Sequence, residues 1–175
     1  MATVGAARAD GTETAFRSRA DTLLNSVRQR QPDCGASPRI VPSSARAAAS
    51  PLPPSDASVS PARPALRWNP RLAQAARRHA GAMARTGRFD SVGPDGTTVR
   101  DRVTATGYRW AAIGENLAAG HASLDDALAA WLESPAHCDA LLDARFTEYG
   151  LARVTPDASD DPLAVYWTLV LARPR

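Results

Sequence analysis

Between residues 32 and 64 the chain carries eight of its fourteen prolines together with seven serines, and that stretch dictates where a fold can be built. Proline fixes φ and removes a backbone donor, so neither a helix nor a central strand can cross the segment. It also holds too few large apolar groups to offset its ordering entropy. Residues 32–64 therefore read as a flexible excursion. On its N-terminal side one pattern remains: Phe16, Ala20, Leu23, Leu24 and Val27 recur at helical spacing over 15–31. Residues 1–14 are small and polar and read as a flexible N-terminus. A lone helix cannot be a domain, so it must pack on whatever folds downstream. The 175 residues thus give one domain over 15–175, interrupted at 32–64.

Downstream the punctuation is clear. Asn69 is a good N-cap and Pro70 suits the first helical position. Leu72, Ala75, Ala76, His79, Ala80 and Met83 then form one stripe that Gly87 ends. Thr97 to Thr106 reads as a short helix closed by Gly107, and Tyr108 to Ala118 as an extended segment. Ser123 with Asp126 three residues on is a capping-box pattern. It opens a helix whose apolar positions are Leu124, Leu128, Trp131 and Leu132. Ser134-Pro135 starts another helix, with His137 in its first turn. Tyr149–Val154 and Leu163–Leu171 read as strands. Helices followed by interspersed strands, without a βαβ rhythm, indicate α+β.

Composition narrows the function classes. All 21 basic residues are Arg, which matches a codon bias better than a phosphate-binding surface. Acidic residues are interleaved with them, as at Asp125-Asp126, so nucleic acid is not an expected partner. No run approaches the roughly 20 apolar residues of a membrane helix. Cys34 and Cys138 stand far apart, and neither has a ligand-type neighbour at zinc spacing. They are two unrelated thiols or one long-range bridge, and a bridge requires an oxidising compartment. Met1–Asp10 holds no complete signal peptide, but Ala6-Ala7-Arg8-Ala9 is similar to the small-residue end of one. The expectation is that the recorded start lies inside or just after a longer export signal.

Four stretches in order resemble the bacterial CAP superfamily (cysteine-rich secretory, antigen 5 and pathogenesis-related proteins). They are RWNPRLAQAARRHAGAMARTGRF (67–89), GPDGTTVRDRVTATGYRW (93–110), IGENLAAG (113–120) and AWLESPAHCDALLDARFTEYGLA (130–152), followed by YWTLVL (166–171). The resemblance implies an α-β-α sandwich, with a three-stranded antiparallel sheet between helices and a cleft over the sheet. In the family that cleft is lined by two histidines and acidic residues that in several members hold a divalent cation. Residue by residue, Glu115 matches the Glu of the GEN motif, Asn116 stands beside it, and His137 matches the second His. Ser91 stands where the first His belongs, and Leu169 where the family often has Gln. Cleft candidates are therefore Glu115, His137, Ser91 and Asn116. Tyr108 and Trp110 flank the GEN segment and are further lining candidates.

Glu115 and His137 alone offer two metal ligands, short of the three or four a zinc site takes from protein. No cofactor is expected beyond a weakly held divalent cation on that pair. His79, on the apolar stripe, reads as a packed histidine, and neither a nucleophile elbow nor a phosphate loop is present. The resemblance implies an exported protein, extracellular or periplasmic, with Cys34 and Cys138 bonded to each other. It implies a monomeric binding module for a small apolar ligand, an envelope component or a protein partner. The alternatives are a hydrolase using Glu115 and His137 as an acid–base pair, or a structural envelope protein with a relict cleft.

Overall fold

The computed structural model describes residues 4–34, 63–156 and 164–175. Most of the 32–64 excursion lies outside the described residues. The first helix, α1 (Val4–Arg30), reaches further toward the N-terminus than the periodicity predicts. No proline interrupts it, and only Gly5 and Gly11 weaken it, so propensity carries it past the apolar stripe. It ends where Gln31 adopts φ 47°, with the Gln31 N–H bonded to Val27 O at 3.0 Å.

Ala20, Leu24 and Val27 of α1 are buried. Two polar residues on the same helix anchor it. The Asn25 side chain donates to Leu66 O and accepts from Leu66 N, tying α1 to the chain that emerges from the excursion. Arg28 is buried and donates to four backbone carbonyls, of Pro64, Leu141, Asp143 and Phe146, at 2.7–3.1 Å. Three of those carbonyls lie at or just after the end of α5 (Pro135–Leu142), the helix that carries His137. A helix C-terminus leaves carbonyls without intrahelical partners, and Arg28 supplies the donors.

The sheet has four strands, not three. Its order is β1 (Arg67–Trp68), β3 (Glu148–Val154), β4 (Tyr166–Pro174), β2 (Trp110–Ala119). The three long strands are antiparallel, as expected. The addition is β1, two residues paired in parallel with Glu148 and Tyr149. It is too short for a periodicity signal, and Asn69-Pro70 turns the chain out of it into α2 (Pro70–Thr86).

Alternation along the strands divides the core into two layers. Tyr149, Leu151, Trp167, Leu169 and Leu171 pack with α1, α4 (Leu124–Glu133) and α5. Ala152, Val170 and Ala172 pack with α2 and α3 (Val99–Thr104). The α-β-α sandwich follows. Close contact of α2 with the sheet depends on Gly150, where a Cβ would stand 2.0 Å from Ala73 N and 2.2 Å from the Leu72 carbonyl carbon. The expected caps form at Asn69, Gly87 and Ser123. A capping box that the sequence reading does not single out opens α3, where Asp101 accepts from both the N–H and the hydroxyl of Thr98.

The Cys34–Cys138 disulfide is formed, with Cα atoms 5.5 Å apart. It pins the end of the first helical segment beside α5. Among the described residues no helix is long and apolar enough to cross a membrane.

Candidate functional site

Glu115 lies in β2 opposite Val170 of β4, on the face covered by α2 and α3. His137 projects from the first turn of α5. Together with Ser91 they line one cavity of about 510 Å³. Its remaining walls include Val99 and Leu117, and Phe89 and Val92 stand at its edge. Those two are the exposed large hydrophobic residues among the described residues, 54% and 46% accessible. The sequence candidates Glu115, His137 and Ser91 therefore meet in one cavity.

Asn116 does not join them. Adjacent strand residues face opposite sides, so Asn116 enters the other layer, fully buried. There its Nδ2 donates to His137 O at 2.9 Å. It touches the backbone that carries the cleft histidine rather than the cleft. Leu169 pairs with Asn116 and shares that inner layer. Tyr108 and Trp110 are also outside the cavity. Tyr108 donates to Glu148 at 2.8 Å, and the Trp110 indole donates to Thr104 at 3.2 Å.

The residue that the sequence reading missed is Arg102. Its Nη2 donates to both carboxylate oxygens of Glu115 at 2.9 Å and to Ser91 O at 3.1 Å, while Nη1 donates to Thr97 O at 2.7 Å. Only 6% of the Arg102 side chain and 7% of the Glu115 side chain remain accessible. Burial pushes the Glu115 carboxyl above its ordinary range, and the neighbouring guanidinium pulls against that shift. The signal was partial: a buried Glu115 requires a partner, but three cationic positions of the 93–110 stretch (Arg100, Arg102, Arg109) compete for it in one dimension. In the structure Arg102 is the buried one, and Arg100 and Arg109 are exposed.

The pair bears on the metal expectation. Both Glu115 oxygens already accept from a cation, and a metal ion there would displace that pair. Among the described residues no group of three or more His, Cys, Asp or Glu could hold a metal ion. The residues present do not fit the divalent site that the resemblance implies.

Behind the same salt bridge lies His79, on α2. It is buried as expected, and among the described residues no side-chain partner satisfies either ring nitrogen; only the Asp90 backbone approaches it, favouring the charged form. Burial, reinforced by the Arg102 charge, lowers its pKa to about 4. His121 takes part through its backbone, accepting from the Trp167 indole at 2.8 Å.

The cysteine-rich secretory protein family model matches residues 23–171. This chain belongs to that family. Among solved structures it is similar to an extracellular protein containing an SCP domain from Bacillus anthracis, at 29% identity and TM-score 0.55, over 63% of this chain and 34% of that one. It is also similar to an outer surface protein from Borrelia burgdorferi, at 21% identity and TM-score 0.56, over 63% of this chain and 78% of that one. The match thus spans about a third of the Bacillus protein's length. No curated protein matches the sequence.

Proposed function

We propose that this CAP domain works outside the cytoplasm as a binding module, its cleft receiving a small apolar ligand or an apolar group of an envelope component or protein. One observation carries the reading: the carboxylate that acid–base chemistry would need is held by Arg102, while the cavity edge presents Phe89 and Val92 to solvent. A general base must reach a substrate proton, and both Glu115 oxygens are occupied. Ligand pockets are lined mainly by apolar and aromatic side chains, and Phe89 and Val92 supply both kinds at this mouth. The formed disulfide and the extracellular and outer-surface descriptions of the two structural relatives support export.

The test is fluorescence titration with N-phenyl-1-naphthylamine, an uncharged apolar probe. Saturable binding is expected, weakened about tenfold (about 1.4 kcal/mol) in the Phe89→Ser/Val92→Ser variant. Absence of saturable binding to the unmodified protein overturns the reading. Ester or amide hydrolysis abolished by His137→Ala replaces it with the hydrolase.

A further inference from the structure

A second, larger concavity of about 870 Å³ lies away from the cleft, at the opposite end of the strand order. Four consecutive residues of β3, Leu151 to Val154, line it. Consecutive strand residues alternate between faces, so this is a groove along the strand's edge and not a pocket on one face. Leu151 belongs to the layer of α1, whose Phe16 and Glu13 form one wall. Ala152 belongs to the layer of α2, whose Arg77, Gly81 and Arg85 form the other. Trp68, the last residue of β1, closes one end.

Among the described residues this edge is open because β1 is short. It pairs with Glu148 and Tyr149 and no further, and Tyr149 O accepts from Asn69 N at 2.8 Å as the chain departs. Strand alternation turns the N–H and C=O groups of Leu151 and Arg153 to this same edge. Among the described residues no strand pairs with them there. Two helix layers overhang an edge that continues the line of β1 and that no described strand pairs.

From this geometry we infer that the groove is a docking site for an extended acidic peptide segment, which adds to β3 as a strand beyond the end of β1. Exposed edges recruit strands through main-chain hydrogen bonds, and flanking pockets select side chains. The four edge residues span about 13 Å at roughly 3.3 Å each, room for a strand of four or so residues. Phe16 and Trp68, on the α1 side of the groove, offer apolar contacts to alternate guest residues. Charge sets the other half of the pattern: Arg77, Arg85 and Arg153 face a single acidic wall residue, Glu13. The Arg77–Glu13 contact is 3.4 Å between well-exposed groups, weak enough to yield to a guest carboxylate. Arg153 lies over the Trp167 ring, 5.9 Å from its centroid, within the reach of a cation–π contact. A charge on an edge discourages neutral or basic strands from pairing, and an acidic guest neutralises it. An acyl chain would satisfy the apolar floor but would leave the edge amides unpaired.

Calorimetric titration of the full disulfide-bonded chain with an acetylated, amidated octapeptide of alternating Val and Glu tests this. Saturable binding is expected, at least tenfold weaker with one of two peptides N-methylated at alternate amides, the one whose methyl groups face the edge. Binding should fall at least tenfold in Arg153→Glu, and also in Gly81→Leu, which fills the groove with a better helix former and so should not lower the melting temperature. Phe89→Ser/Val92→Ser should leave the affinity unchanged, which separates this site from the cleft. No saturable heat, equal binding of both N-methylated peptides, or equal binding of a Val–Lys octapeptide overturns the inference. Oleate binding lost in Gly81→Leu, with no peptide binding, assigns the groove to lipid instead.

Discussion

Replacing Arg102 by Met removes the cation bonded to Glu115 while keeping most of the side chain's volume. The guanidinium contributes four hydrogen bonds, two to the carboxylate and one each to Ser91 O and Thr97 O. With both partners more than nine-tenths buried, the carboxylate left behind at the cavity wall has little solvent to replace them. Breaking a buried pair from one side costs about 3–5 kcal/mol, a large part of the roughly 5–15 kcal/mol a domain possesses. With a urea dependence of about 2 kcal/mol per molar, the unfolding midpoint at pH 7 should fall by about 2 M. The sign with pH follows from linkage. A carboxyl whose folded pKa is raised above its ordinary 4.5 is better tolerated when protonated. The deficit of Arg102→Met is therefore greatest above the folded pKa and shrinks as pH falls toward 4.5. Adding Glu115→Gln to Arg102→Met should recover about 2 kcal/mol at pH 7, because the uncompensated charge is gone. Urea unfolding followed by tryptophan fluorescence at pH 7 and pH 5 measures all of this. A midpoint shift of Arg102→Met below about 0.5 M, the same at both pH values and additive with Glu115→Gln, refutes the claim that Arg102 compensates the buried Glu115 charge.

Two further outcomes are expected. Replacing both cysteines by Ser reopens a loop closed across 104 positions and should cost up to about 4–5 kcal/mol, measured by urea unfolding against the oxidised parent; a loss under about 1 kcal/mol would mean that Arg28 and Asn25 hold α1 without the bridge. His79, with its pKa lowered to about 4 from 6.5, gains a proton on unfolding below pH 6.5. Its neutral form is fully tolerated above 6.5, and stability is withdrawn as pH falls to about 4, amounting to about 3 kcal/mol at roughly 1.4 kcal/mol per pH unit. His79→Met should flatten stability across that window, and an unchanged pH profile would show that the buried imidazole is not the group responsible.

Much of this architecture is local chemistry and was legible in one dimension. Asn69-Pro70, Gly87 and Ser123 specify helix ends through their own hydrogen bonds and permitted φ values, and the apolar spacing specifies which face each helix buries. The order of the four family-like stretches carried the sandwich and brought Glu115, His137 and Ser91 to one cavity. Tertiary structure decided the rest. Whether Glu115 is a free base or half of an ion pair depends on α3 lying against β2, a contact between residues 13 positions apart whose geometry no periodicity encodes. Asn116 left the cleft because a strand alternates about a register that only its pairing with β4 defines. The four-carbonyl grip of Arg28, reaching more than a hundred positions along the chain, and the open edge of β3 arise in the same way. Backbone carbonyls and unpaired strand edges belong to every sequence alike, so only the packing of distant segments determines which of them meet a side chain and which face solvent.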